Sequence, residues 1–417
     1  MKAWRRCSLL FLFLICLAIP LCSAAASPFK VVGYYPQWGM FNTRPYNVKN
    51  LVTSGAAPLL THLIYAFSDI ENNQCATYDD WADYRQPLPA VSTLNGIADV
   101  EAPGVLAGNF HQLQLLKKSY PSLPIMISIG GGGMDPAVFA TAAQPQNRQA
   151  FVASCINMYI KGNFAPGLSG PGIFTGIDID WEFPKNATDL SNYLALLQEF
   201  RTQLNALGSG YLLTSVGGTW WGQWDYMNLN AAQSFVDFFN VPMYDFDGPW
   251  SNMTGLNAPL SQASFDPSAG NNASSVVAKY LAMGVEKQKI VFGMPLYGWR
   301  WTKVGYFHQG LFQPGTPDSY PYPYWQIAAL TGYTKYRDSK TQEPWLWNAS
   351  TLTFWTYDDA TSLTYKSRWA AAQGLGGVMF WELSNDTPSG TLFKAAVKGF
   401  GGCDIANSKC GYSASPM

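Results

Sequence analysis

Three carboxylates stand at alternate positions in the stretch Phe174-Thr-Gly-Ile-Asp-Ile-Asp-Trp-Glu-Phe-Pro184: Asp178, Asp180 and Glu182. Ile173, Phe174, Ile177, Ile179 and Phe183 give this run strand propensity, and Gly172 and Pro184 bound it. Side chains alternate along a strand, so the three acids share one face, at steps of roughly 6.6 Å. Ile177, Ile179, Trp181 and Phe183 share the other. Like charges gathered in one site cannot all ionise, so the row is costly. Such a cost is tolerated mainly where a raised carboxyl pKa is useful, as in general acid–base catalysis. An acidic strand can also hold Ca²⁺ or face solvent from one side of a sandwich. The apolar residues around this run instead fit a strand buried on both faces.

The row needs a scaffold that brings the end of its strand to a pocket. Short apolar strands recur along the chain at Lys30–Tyr35, His62–Phe67, Pro124–Ile129, Tyr211–Val216, Phe238–Tyr244, Lys289–Met294 and Gly376–Trp381. Helical spacing fills the intervals at Asn109–Tyr120, near Gln146–Lys161, and at Asp189–Leu207, Ser274–Met283 and Ser362–Gln373. In the third of these, Leu190, Tyr193, Leu194, Leu197 and Phe200 line one face. With the acidic strand fourth, eight strands alternating with helices predict an α/β fold, a (β/α)₈ barrel. Glu182 then falls at the C-terminal end of its strand, where such barrels place their chemistry. Residues 301–361 are too long for a simple connection. Rich in Tyr, Pro and Trp, they predict a small α+β insertion subdomain between strand 7 and helix 7, walling one side of a cleft.

These motifs together resemble glycoside hydrolase family 18, the chitinase family. Its signature, Asp-x-x-Asp-x-Asp-x-Glu on the fourth barrel strand, reads here Thr175-Gly-Ile-Asp178-Ile-Asp180-Trp-Glu182. Ser128-Ile-Gly130-Gly131, Tyr244-Asp245, Gly293-Met-Pro-Leu-Tyr297-Gly298 and Gly377-Val-Met-Phe-Trp381 match the motifs of strands three, six, seven and eight. Tyr357-Asp358-Asp359 matches the edge of the insertion. Each motif is weak alone; their order and intervals carry the resemblance, which spans nearly all of residues 27–417.

The resemblance implies hydrolysis of β-1,4-linked N-acetylglucosamine, with the substrate's own acetamido oxygen as nucleophile. It implies that Glu182 is the general acid and base, its pKa raised by neighbouring Asp180. Asp180 would hold the acetamide N–H, with Asp178 sharing a proton beneath it. Tyr244 would orient the acetamido oxygen, Asp245 would touch the distorted sugar, and Trp381 would form its floor. Tyr34 and Ser128 would support Asp178, and Phe67 and Tyr297 would be walls. Departures from the pattern bear on affinity rather than chemistry. Thr175 replaces the first aspartate, Gly132 a stacking tryptophan, Pro242 a methionine, and Trp299 an arginine. Trp220, Trp221 and Trp224 are candidates for the lost stacking surface, and Trp220 and Trp250 for saccharide contacts. An endo-β-N-acetylglucosaminidase acting on N-glycan cores shares the acid pair. A chitin-binding lectin on this barrel usually lacks the terminal glutamate, which is present here.

Composition agrees with a carbohydrate ligand: 16 Trp, 23 Tyr and 24 Phe accompany only 13% charged residues. Flat rings suit the apolar faces of sugars. Lys2, Arg5 and Arg6 before the apolar run Leu9–Leu21, then Ser23-Ala24-Ala25-Ala26, read as a secretory signal peptide at Met1–Ala26. No basic stripe follows, which excludes nucleic acid and anionic membrane as expected partners. The expectation is a soluble, secreted monomer acting on chitin or chito-oligosaccharides. Cys75, Cys155, Cys403 and Cys410 remain after the leader and predict two disulfides. Three pairings are open, and Cys403–Cys410 with Cys75–Cys155 is favoured because the first closes a short tail loop. Three histidines and no ligand-spaced cysteines predict no metal and no cofactor. Sequons begin at Asn186, Asn252, Asn272, Asn348 and Asn385.

Overall fold

The computed structural model describes residues 29–219, 222–268 and 271–400. The predicted leader Met1–Ala26, Trp220, Trp221 and the predicted Cys403–Cys410 pair lie outside the described residues.

Seven parallel strands follow one another: β1 (Lys30–Pro36), β2 (His62–Glu71), β3 (Ile125–Gly130), β4 (Gly176–Asp180), β5 (Leu212–Val216), β6 (Phe238–Val241) and β7 (Ile290–Pro295). Four longer strands of an insertion come next: β8 (Tyr297–Thr302), β9 (Thr334–Arg337), β10 (Pro344–Asn348) and β11 (Thr353–Thr356). The last strand, β12 (Gly377–Trp381), lies between β7 and β1, and β1 also pairs with β2, so the sheet closes into a (β/α)₈ barrel. Register puts Ser128, Asp178 and Thr214 side by side on β3, β4 and β5. Three polar side chains therefore meet inside an otherwise apolar barrel.

The helices that cover the barrel are α1 (Gly108–Ser119), α2 (Pro145–Cys155), α3 (Ala187–Leu207), α4 (Ala273–Ala282), α5 (Ala360–Ala372) and α6 (Thr391–Gly399). The Asn186 side chain caps α3 by accepting from the Asp189 N–H at 2.9 Å. α3 then buries Tyr193, Leu196, Leu197, Phe200 and Leu204, whereas Leu190 and Leu194 are only partly buried. Phe139 stacks on Trp181, centroids 5.4 Å apart, behind β4. A disulfide joins Cys75, in a short hairpin strand beside β2, to Cys155 at the end of α2. Closing 80 positions of chain, it constrains the unfolded state by about 4 kcal/mol.

Two boundaries differ from the sequence reading. β4 stops at Asp180, and Phe183 lines the same cavity as Glu182. Strict alternation therefore ends at Trp181, because the chain leaves the barrel wall there. The antiparallel sheet of the insertion starts at Tyr297, ahead of 301. Leu296 still hydrogen-bonds the barrel through its N–H to the Trp381 carbonyl at 2.8 Å, so strand follows strand with no intervening loop. The sheet runs β8–β11–β10–β9, with two-residue strands at Thr316–Pro317 and Tyr322–Pro323 against β8. Of the sequon asparagines, Asn186 and Asn252 are exposed, while Asn272 is buried as the N-cap of α4 and Asn385 lines a cavity.

Candidate active site

Asp178 is buried at the centre of the barrel and accepts four hydrogen bonds. Tyr34 and Ser128 donate to Oδ2, each at 2.8 Å; Thr214 donates to Oδ1 at 2.5 Å and Asn240 at 3.3 Å. Asn240 also donates to the Tyr34 hydroxyl at 3.1 Å. Burial pushes the Asp178 pKa up and these donors pull it back. Its acceptor positions are filled by neutral donors, which fix the carboxyl in place.

Two residues on, Asp180 is also buried, and its Oδ1 has no hydrogen-bond partner among the described residues. Its pKa stands well above the carboxylate range, first from burial, then from the charges of Glu182 and Asp178. A hydrogen bond links it to Glu182. The Glu182 pKa is raised by burial, lowered by that bond and raised again by the Asp245 charge. Burial is the leading cause that lifts Glu182. Asp178 raises the Asp180 pKa through its charge. The two outer carboxyls share one buried site, and both have raised pKa values.

This pair opens into a cavity of about 230 Å³. Tyr34, Phe67, Pro242, Tyr244, Asp245, Tyr297 and Trp381 line it as well. Trp381, on the end of β12, packs edge-on against Tyr34 at 5.4 Å and stacks with Phe67 at 5.6 Å. Tyr244 meets the ring of Tyr297 at 6.0 Å. Asp245 accepts at Oδ1 from the Tyr297 hydroxyl at 2.6 Å and from the Trp299 indole N–H at 2.9 Å. Both donors belong to β8, so the insertion completes the site. Gly132 lies beside the acid: a Cβ there would sit 3.5 Å from Glu182 Oε1. A second cavity of about 610 Å³ shares Asp245, Tyr297 and Trp381 and continues past Trp38, Trp299 and Trp325.

The sequence-predicted residues Asp178, Asp180, Glu182, Tyr34, Ser128, Phe67, Tyr244, Asp245, Tyr297 and Trp381 are thus brought together, with Ser128 reaching the site only through Asp178. Trp250 is apart: it is 56% exposed, meets Trp299 edge-on at 5.9 Å and lines neither cavity. Trp224 is half-buried, packs against the core and lies under the Lys279 ammonium. Thr214, Asn240, Trp38 and Trp299 were not singled out from sequence as site residues. Thr214 and Asn240 carried a signal, being polar side chains inside the apolar runs Leu212–Val216 and Phe238–Val241. Among the described residues, no group of three or more His, Cys, Asp or Glu side chains is arranged to hold a metal.

The family model for glycosyl hydrolases family 18 matches residues 30–386. The chain is 33% identical over 382 residues to chitinase C of Streptomyces lividans, covering 87% of this chain and 58% of that one. It is 30% identical to chitinase B of Serratia marcescens, over 88% of this chain and 81% of that one. The catalytic domain of psychrophilic chitinase B from Arthrobacter TAD20 superposes with a TM-score of 0.82 at 32% identity, over 90% of this chain and 96% of that one. The chain spans less than two thirds of the length of curated relatives such as the Streptomyces enzyme. A family match over nearly the whole barrel, falling on a strand whose acids meet in one cavity, places the chain in glycosyl hydrolase family 18.

Proposed function

We propose that the chain is a chitinase, cleaving β-1,4 linkages between N-acetylglucosamine units with retention of configuration. The observation that carries this reading is the contact between Asp180 and Glu182. Two carboxyls that hydrogen-bond each other cannot flank a sugar from opposite faces, as an acid and a carboxylate nucleophile must. This fits the reaction that the family resemblance implies, in which the nucleophile comes from the substrate. The acetamido carbonyl oxygen attacks the anomeric carbon while the bond to the leaving oxygen breaks and Glu182 gives that oxygen its proton. A cyclic oxazolinium results. Water adds to the anomeric carbon, Glu182 takes its proton, and the ring reopens to the acetamide.

Each remaining residue has a share in this scheme. Asp180 accepts the acetamide N–H and balances the oxazolinium charge. Tyr244 aims the acetamido oxygen at the anomeric carbon, a gain in orientation. Trp381 supports the sugar from below, with Phe67 beside it. Asp178 is held by its four donors beneath Asp180, where its charge helps raise the Asp180 pKa. The names of the relatives support chitin as substrate. The Cys75–Cys155 bridge supports the reading of Met1–Ala26 as a secretory leader, since disulfides persist in oxidising compartments. A soluble monomer is the state we assign; no helix among the described residues is long and apolar enough to cross a membrane.

The test is incubation with N-acetylglucosamine tetramer and, separately, with a high-mannose glycopeptide, read by mass. Release of dimer supports the chitinase. Glycan release alone would replace it with an endo-β-N-acetylglucosaminidase, and binding without cleavage would make the protein a lectin.

A further inference from the structure

We infer that Asn257 is a positioning residue for Asp245, the element through which the insertion sets the geometry of the cavity; this rests on the hydrolase reading above. Asp245 has φ 61°, in the left-handed region that side chains with a Cβ rarely occupy. Its backbone must therefore be held from outside. Asn257 does so twice: the Asp245 N–H donates to Asn257 Oδ1 at 3.0 Å, and the Phe246 N–H donates to the Asn257 carbonyl at 3.0 Å. The other side of the amide faces the insertion, where Asn257 Nδ2 donates to the Tyr297 carbonyl at 3.4 Å. Tyr297 in turn donates its hydroxyl to the Asp245 carboxylate at 2.6 Å. Asp245, Asn257 and Tyr297 thus close a ring of hydrogen bonds, fixing both the backbone and the carboxylate of Asp245.

Asn257 is fully buried, so water cannot replace these bonds. Its own segment is anchored in the insertion. The Asn257 N–H donates to Thr356 Oγ1 at 2.8 Å, and the Ala258 N–H donates to Glu343 Oε1 at 3.1 Å. Thr356 donates to the same Glu343 oxygen at 3.3 Å. Tyr297 and Trp299 tie the Asp245 carboxylate to the sheet outside the barrel, and the Asn257 amide ties its backbone to the same sheet.

A double-mutant cycle on the full chain tests this, using Asn257→Ala, Asp245→Ala and both, with kcat, KM and calorimetric affinity for N-acetylglucosamine tetramer. Misplacing Asp245 predicts a kcat loss of about 100-fold for Asn257→Ala, with KM changed far less. In the Asp245→Ala background the same substitution should add no more than about 2-fold, because the two act through one path. Equal losses in both backgrounds, or no loss, overturn the proposal. If Asn257→Ala fails to fold, Thr356→Val removes the acceptor for the Asn257 N–H and Thr356→Ser restores it. Lower kcat in the first and recovery in the second support the role; equal rates in the two overturn it. Should the wild-type chain leave the tetramer intact, the hydrolase reading falls, and the cycle read on affinity alone still decides. Coupled losses then keep the positioning role, and additive ones remove it.

Discussion

Two groups of buried acids in this molecule are treated in opposite ways. At the root of the insertion, Asp358 and Glu343 are fully buried around Lys366, whose ammonium donates to both Asp358 oxygens at 2.6 Å and lies 3.6 Å from Glu343. Burial pushes the Glu343 pKa up to about 8, and the lysine opposes it. In the cavity, Asp178, Asp180 and Glu182 have no such partner: among the described residues no cation forms an ion pair with them or with Asp245. Neutral donors satisfy Asp178, and Asp180 keeps an oxygen unpaired. A buried cation cancels charge and locks a shape. Its absence leaves a carboxyl pair whose charge changes with the uptake or loss of a proton, which acid–base chemistry needs.

Removing the movable proton breaks the comparison hardest. Glu182→Gln keeps the size of the side chain and loses its proton, so kcat should fall by about 10²–10⁴ while tetramer affinity measured by calorimetry stays near wild type. Near-normal turnover in that variant would remove Glu182 from the role given to it. The insertion root should answer to stability instead. Lys366→Met strands two buried acids and should lower unfolding free energy by about 3–5 kcal/mol in a urea titration. An unchanged midpoint would show that the ammonium is not what holds those acids.

The pH profile sharpens the contrast further. Glu182 and Asp180 both have raised pKa values, so kcat/KM should hold as pH rises toward neutrality and fall once the pair loses its last proton. Asp180→Asn removes one titrating group and leaves Glu182 to ionise without a neighbouring anion. The alkaline limb should then move to lower pH, at reduced kcat; a limb that stays in place would mean that the two do not share the proton. Smallest of all is the expected response to a chelator. With no metal in the proposed chemistry, EDTA should leave the rate of dimer release unchanged, and a loss restored by added cation would require a different mechanism.

Much of this was legible before folding. The strand rhythm placed the eight barrel strands to within a few residues, because strands buried by helices must be short apolar runs. The spacing of Asp178, Asp180 and Glu182 put three acids on one face, since a strand repeats every second residue. Alternation could not show that the chain leaves the wall after Trp181 and turns Phe183 into the cavity. Nor could it show that Trp224 goes to the core, because a tryptophan in a loop reads the same whether it stacks on a sugar or on a protein.

What the sequence determined by itself was the barrel, the acid row and the site residues carried on strand ends, each set by a local period. The tertiary structure decided which neutral donors surround Asp178, that Asp180 and Glu182 open into one cavity, and that Asp245 is held by Tyr297, Trp299 and Asn257. Those facts join residues tens to hundreds of positions apart. A hydrogen bond or a desolvated carboxyl exists only once burial and register have brought its partners together, and no local pattern encodes that meeting.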